Sequence, residues 1–129
     1  MDFKKECILF LLLLFLNEVS SLNEISLVIE KRKGDERGLE IIQKMFFDTI
    51  NIVSIDLSNF YTSNIKNSGA MFQYCVRLKS LNLNNFNTSL ITNMGRMFYD
   101  LYSLESLDVS NFDTSSVTNM EKMFLIVLH

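Results

Sequence analysis

The sequence predicts an α/β fold, a solenoid of stacked 26-residue units in which each unit contributes one short parallel strand and one short helix. Two observations predict it. Met-Phe pairs recur every 26 residues, at Met45-Phe46, Met71-Phe72, Met97-Phe98 and Met123-Phe124. The last two units, 78–103 and 104–129, match at 12 of 26 positions. A fixed period of this length indicates a repeat architecture, whose units bury their apolar faces against one another.

Composition places the chain among globular proteins. It has 129 residues, 48% apolar and 21% charged, enough for one domain with a core. The net charge of -3 provides no basic stripe to neutralise a phosphate backbone, so we expect no nucleic-acid partner.

Residues 1–21 are typical of a signal peptide. Lys4 and Lys5 precede an unbroken apolar run from Cys7 to Leu16, and small polar residues follow it. The run is about half of the roughly 20 residues that a membrane span needs. We therefore predict a secreted or cell-surface protein. An uncleaved signal anchor is the alternative, and it would be the chain's membrane contact.

The period divides the rest of the chain into four parts. Residues 22–51 form a degenerate capping repeat, in which the charged run 31–38 replaces the loop of the other units. A solvated loop is the alternative for that run. Three full repeats follow at 52–77, 78–103 and 104–129.

Each unit opens on a strand pattern and closes on a helical one. The spacing Leu104-x-x-Leu107-x-Val109, repeated in the units before it, predicts a short strand with its apolar side chains inward. The segment 119–124 has apolar residues at i, i+3 and i+4, which predicts one to two turns of helix. A helix this short forms only when it packs on the sheet.

Phenylalanines at equivalent positions should form two columns, separated from unit to unit by roughly 4.7 to 4.9 Å. Core packing is favoured over a ligand-binding box, because burying one phenylalanine contributes roughly 1.5 to 3 kcal/mol. This predicted packing spine comprises Phe60, Phe86, Phe112, Phe72, Phe98 and Phe124.

Asparagines also recur on the period. An amide can bond backbone groups of its own unit and of the next one. We interpret these residues as a structural ladder rather than a substrate site: Asn59, Asn85, Asn111, Asn67, Asn93 and Asn119. The threonines at 62, 88 and 114 are expected to work similarly or to cap helices.

The segment from Leu104 to Phe124, LESLDVSNFDTSSVTNMEKMF, resembles the repeat of the BspA-like leucine-rich-repeat surface proteins, whose consensus is close to LxSLDLSNFDTSNVTNMxxMFxxC. The resemblance covers 52–129, and Cys75 stands at the consensus cysteine. It implies a leucine-rich-repeat-type solenoid, export to the surface, and an adhesive or matrix-binding role without enzymatic activity.

Strand alternation turns two polar columns outward on the sheet face, the usual binding surface of a solenoid. We expect an extracellular protein or glycan partner to bind there. The alternative is a structural remnant or a fragment of a longer protein, with too few units to bind a partner specifically. The candidate partner-binding residues are Ser54, Asp56, Lys79, Ser80, Asn82, Glu105, Ser106 and Asp108.

An enzyme is the third hypothesis. Asp56 and Asp108 could suggest a glycosidase-like pair or a calcium site, but they should lie about two strand spacings apart on an open surface. The only histidine is His129, and no phosphate-binding loop is present. We therefore predict no catalysis, no cofactor and no metal.

The C-terminal unit ends on an apolar segment, 125–128, where the preceding unit is more polar. An uncovered sheet edge invites pairing. Either the chain is a piece of a longer solenoid, or this end docks on a second subunit or a membrane surface.

Overall fold

The computed structural model describes residues 25–28, 43–60 and 62–125. The predicted signal peptide, the charged run of the predicted cap and residues 126–129 lie outside these ranges. None of the described residues forms a helix with the length and hydropathy of a membrane span.

The described strands are short and parallel. β1 (Ile25–Val28), β2 (Ile52–Asp56) and β3 (Ser80–Asn82) form one sheet in the order β1-β2-β3. β2 and β3 pair with the offset of the repeat, since Ser54 lies opposite Ser80. The first pair is irregular, because Ser26 lies opposite Ser54 after a register shift. The prediction of short parallel strands is confirmed, and the 26-residue period sets the pairing of β2 with β3.

Unit 104–129 adds no strand to this sheet within the described residues, so the prediction of a strand there is wrong. Its backbone still bonds the neighbouring unit, since Glu105 N donates to O of Lys79, the residue before β3, at 3.2 Å. Its side chains Leu104, Leu107 and Val109 pack against the core. A second parallel contact runs through the asparagines, as isolated bridges from Asn67 to Asn93 and from Asn93 to Asn119. The units are therefore aligned by two separate backbone ladders.

The predicted helix of each unit is wrong for the described residues. The Met-Phe segments, which we define as 44–48, 70–74, 96–100 and 122–125, are successive turns. Along segments 70–74 and 96–100, successive N–H groups bond alternately to a carbonyl of the next unit and to a carbonyl of their own unit. Met71 N donates within its own unit to Ser68 O at 3.2 Å, whereas Phe72 N donates to Met97 O of the next unit at 3.0 Å. An α-helix would need all of these groups for bonds to residues four positions earlier.

Backbone conformation explains why the helix does not form. Ala70 and Tyr74 have φ angles of 54° and 65°, and the equivalent Arg96 and Asp100 have 57° and 59°. This left-handed conformation costs roughly 1 to 2 kcal/mol for a residue with a side chain. It directs every second N–H towards the neighbouring unit, so bonds between units replace those of a helix. The apolar spacing of three and four residues fits successive turns as well as it fits a helix.

The core lies between the strands and the Met-Phe segments. Ile55, Leu57 and Leu78 are fully buried from the strand side, and Met71 and Met97 from the turn side. The phenylalanines of the Met-Phe segments form one column, with ring centroids 5.5, 5.7 and 5.6 Å apart and nearly parallel planes. The rings are Phe46, Phe72, Phe98 and Phe124. Of the second predicted column, Phe60 and Phe86 are buried and Phe112 stacks on Phe86 at 6.1 Å.

Candidate functional site

Of the residues that the sequence proposed for partner binding, four lie in β2 and β3, and the other four lie just before β3 or in the strandless unit 104–129. Lys79, Ser80, Glu105, Ser106 and Asp108 are exposed. The other three, in β2 and β3, are half-buried: Ser54, Asp56 and Asn82. Pairing in β2 and β3 places Ser54 beside Ser80 and Asp56 beside Asn82. We call the eight residues the sheet face, a polar surface that extends across three units.

Part of this face is committed to turn formation. Asp56 Oδ1 accepts a hydrogen bond from Ser58 N at 2.8 Å, and the equivalent Asn82 Oδ1 accepts from Asn84 N at 3.0 Å. Asp108 accepts from the N–H two residues on in the same way, at 2.9 Å. An acceptor at this position stabilises the turn that follows β2, the turn that follows β3 and the equivalent turn of unit 104–129. Asp56, Asn82 and Asp108 therefore have a structural role that does not depend on a partner.

The same bonds determine the ionisation of the carboxylates. The backbone N–H of Ser58 lowers the pKa of Asp56, and its hydroxyl adds to that effect. The Ser110 side chain and N–H lower the pKa of Asp108. Both groups are thus held as carboxylates, whereas a general acid requires a raised pKa. Within the described residues, no three His, Cys, Asp or Glu side chains are grouped so that they could hold a metal ion.

In the predicted asparagine ladder, the backbones of Asn67, Asn93 and Asn119 are bridged from unit to unit, whereas their side-chain oxygens bond their own unit. Asn93 Oδ1 accepts from Gly95 N at 2.9 Å, as Asn67 does from Gly69 N. In the other column, Asn111 Nδ2 donates across the unit boundary to Leu83 O at 3.2 Å. All buried side-chain nitrogen and oxygen atoms of the described ranges have hydrogen-bond partners. Of the amide bonds named, the one from Asn111 joins neighbouring units.

A groove of about 420 Å3 lies on the opposite side, over the Met-Phe segments. Its floor includes Gly69 and Gly95, where an added Cβ would stand 3.0 to 3.2 Å from asparagine amide atoms. A side chain at either position would force the asparagine amides to shift by a few tenths of an ångström. The groove crosses several units, since residues from 43 to 121 line it.

The groove walls combine aromatic and charged groups. Phe47 and Tyr74 meet edge to face at 5.5 Å, and Lys44 Nζ lies 5.2 Å from the Phe47 ring centroid. At the other end, Glu121 Oε1 lies 3.8 Å from Arg96 Nη2. The repeat pattern in the sequence does not reveal this groove. Phe47 and Tyr74 occupy different columns of the repeat, so a search for periodic residues passes over them.

One comparison with known proteins returns a match. The family described as Mycoplasma protein of unknown function, DUF285, matches residues 40–127, more than half of the chain. The chain belongs to this family. No curated protein and no solved structure matches it.

The DUF285 match includes β2, β3 and the described Met-Phe segments. Both the sheet face and the groove therefore lie within the region that defines membership. The DUF285 family is associated with BspA-like repeat surface proteins, the group that the repeat of this sequence resembles.

Cys75 of this DUF285 chain is fully buried in the core. Its Sγ donates to Phe46 O at 2.9 Å and lies 3.2 Å from Thr49 Oγ1. Burial raises the pKa of the Cys75 thiol from 9.0 to about 11, although the Thr49 hydroxyl opposes this effect. The side chain is thus a neutral packing group at ordinary pH.

The raised pKa of Cys75 predicts a stability loss in alkali. The folded protein keeps a proton that the unfolded chain releases, so this stabilisation is complete below about pH 9 and disappears as pH rises through about 11. We expect the free energy of unfolding to fall by roughly 2 to 3 kcal/mol more in the wild type than in Cys75→Ala over that window. Urea titrations at pH 8, 9, 10 and 11 measure the difference. Parallel pH profiles for the two proteins would contradict the prediction.

Proposed function

We propose that this DUF285 chain is an exported interaction module of the BspA-like leucine-rich-repeat type, secreted or held at the cell surface. In this proposal the stacked units form a solenoid that binds an extracellular protein or glycan through the sheet face, without catalysis, metal or cofactor. The observation that supports it is the exposed polar surface, which repeats in two successive units at Lys79, Ser80, Glu105 and Ser106. A repeated surface suits an extended partner.

The groove supports a second location for the same function. Its concave shape and its pair of aromatic rings suit a sugar ring or a peptide side chain better than a flat strand surface does. The two locations lie on opposite sides of the units and can be tested separately.

Two sets of alanine substitutions test the binding proposal. The sheet set replaces Lys79, Ser80, Glu105 and Ser106, and leaves the turn-forming Asp56, Asn82 and Asp108 unchanged. The groove set replaces Gln43, Tyr74 and Arg96. The tagged full chain and both variants are screened against immobilised glycans and extracellular matrix proteins. We expect the sheet set to lower affinity at least about tenfold, because a few central side chains carry most binding energy, and the groove set to change it less than about twofold.

The outcomes separate the hypotheses. Loss of binding in the groove set alone would indicate that the partner binds in the groove and not on the sheet face. Failure of the folded wild type to bind any probe would favour the remaining alternative, a structural remnant or fragment without its own binding activity. Protease treatment of intact cells tests export independently, since an intracellular chain would be protected.

A further inference from the structure

The asparagines on the floor of the groove form a row of oriented amides. Asn93 Oδ1 accepts from Gly95 N, and the Asn119 oxygen accepts in the same way from Glu121 N, each at 2.9 Å. Because the backbone holds each oxygen, the Nδ2 group is the part of the amide that remains for another acceptor. The backbones of the row form parallel bridges from unit to unit, so successive amides are separated by roughly 4.7 to 4.9 Å, the spacing of neighbouring strands.

The first amide of this row shows what such an Nδ2 group binds. Asn67 Nδ2 donates to Oε1 of Gln43, a neutral oxygen at the edge of the groove, at 3.3 Å. Gly69 occupies the position of Gln43 one unit later, and a Cβ there would stand 3.1 Å from Asn93 Nδ2. Since glycine has no side chain, Asn93 Nδ2 has no acceptor among the residues that the structure describes. The groove therefore has room for a ligand oxygen where the preceding unit places its own.

The wall of the groove adds another amide of this kind. Gln73 lines the groove and is only 5% exposed, yet its side chain bonds no described residue. Every side-chain nitrogen or oxygen atom that is shielded from solvent in the described ranges has a hydrogen-bond partner, so the unpartnered amide of Gln73 is open to the groove. A buried polar group normally has a partner. A hydroxyl group suits Gln73, because it can donate to the amide oxygen and accept from the nitrogen.

An extended peptide does not match the floor of the groove. Gly69 N and Gly95 N bond asparagine oxygens at 2.9 Å. The carbonyls of the same two glycines accept from Lys44 N and Ala70 N, at 3.0 and 2.8 Å. A peptide strand would therefore find no main-chain group with which to pair at either glycine. Its carbonyls on one side also recur only every second residue, about 6.6 Å apart, which differs from the interval of the asparagine row.

The charged groups of the groove have partners of their own. Lys44 Nζ lies 5.2 Å from the Phe47 ring centroid. Arg96 Nη2 lies 3.8 Å from Glu121 Oε1. An ionic ligand would have to displace these contacts, whereas a neutral one leaves them in place. Tyr74, which meets Phe47 edge to face, provides apolar surface beside the amides. The groove thus suits a neutral ligand that combines hydroxyl groups with an apolar face.

We propose that the groove binds a neutral linear oligosaccharide, with one sugar ring over each unit. Because hydroxyls surround a sugar ring, each ring of an extended chain offers an acceptor to the asparagine row, and the ring beside Gln73 offers that amide a hydroxyl. The rings of such a chain recur at an interval close to that of the row, and their apolar faces pack on aromatic side chains such as Tyr74. Residues from four successive units line the groove, which gives it a length of about four rings.

This oligosaccharide is a ligand distinct from the partner proposed for the sheet face on the opposite side of the units. Its site rests on the proposed function only in that the chain is an exported binding module. The two surfaces are tested with separate probes, so either proposal can fail without the other.

Calorimetric titration of the full chain with soluble saccharides tests the site. The probes are linear tetramers of glucose, mannose, galactose and N-acetylglucosamine, each with its monosaccharide. Gln73→Met removes the buried amide at similar volume, and Tyr74→Ala removes the aromatic wall. Asn84→Ala is the matched control, because Asn84 is an exposed amide outside the groove. Thermal unfolding by circular dichroism verifies that each variant is folded.

We expect at least one tetramer to bind at least about tenfold more tightly than its monosaccharide, because linked rings contact several units at once. Gln73→Met and Tyr74→Ala should each weaken that binding at least about fivefold, whereas Asn84→Ala and the sheet set should keep it. Absence of binding by every tetramer, equal binding of tetramer and monosaccharide, or full binding by either folded groove variant would overturn the site. Loss of saccharide binding in the sheet set alone would overturn the groove site and support the function proposed for the sheet face.

Discussion

Replacing Phe72 by alanine should lower the free energy of unfolding by about 3 to 5 kcal/mol. The Phe72 ring is fully buried and stacks on both sides, at 5.5 Å from Phe46 and 5.7 Å from Phe98. Truncation would leave a cavity in the middle of the column that joins the units. Because a small domain is stable by only about 5 to 15 kcal/mol, much of the protein's stability depends on this ring. Urea unfolding followed by circular dichroism measures the loss.

The matched control is Phe124→Ala at the end of the same column. Phe124 is 47% exposed and has one stacking partner among the described rings, Phe98 at 5.6 Å. We expect less than half the loss seen at Phe72, since less apolar area is returned to water. Equal losses at the two positions would contradict this prediction, because they would show that the burial of Phe72 and its second stacking contact add no stability.

Replacing Thr88 by valine should cost roughly 2 to 3 kcal/mol. The Thr88 hydroxyl is 1% exposed, accepts from Asp113 N at 2.8 Å and donates to Asp113 O at 3.0 Å, so one side chain bonds both backbone groups of a residue in the next unit. Valine has nearly the same shape but satisfies neither group. The midpoint of urea unfolding should fall without a change in its slope.

Thr114→Val is the control for this prediction. Thr114 occupies the same position one unit later but is exposed. Its substitution should change stability by less than about 0.5 kcal/mol, the range usual for surface changes. If Thr114→Val is as harmful as Thr88→Val, the cost belongs to the loop of each unit rather than to the bond between units.

The sequence predicted those parts of the fold that depend on the period. Recurrence alone placed Phe72 above Phe98 and Asn67 beside Asn93, because equivalent positions of stacked units must adjoin. The period did not reveal the secondary structure of the Met-Phe segments. The spacing of their apolar residues is satisfied by a helix and by successive turns, and bonds to a neighbouring unit decide between them. The spacing of apolar residues along the chain does not indicate those bonds.

The candidate site also has features that the sequence predicted and features that it did not. Outward positions such as Ser80 and Ser106 follow from strand alternation, and the structure exposes them. The second role of Asp56 and Asn82 in forming turns was missed, since it depends on an N–H two residues later. The groove was missed because Phe47 and Tyr74 come together through the offset of neighbouring units and not through the period.

The common direction of the N–H bonds in the Met-Phe segments gives the molecule an electrical axis. Aligned peptide dipoles add, as they do in a helix, so partial positive charge collects at the C-terminal end of the row of Met-Phe segments and partial negative charge at its N-terminal end. Glu121 lies beside the first and Lys44 beside the second, each with the sign that its surroundings favour. Because Glu121 and Lys44 are exposed, salt should screen both attractions, and the stability that they contribute should fall modestly as ionic strength rises.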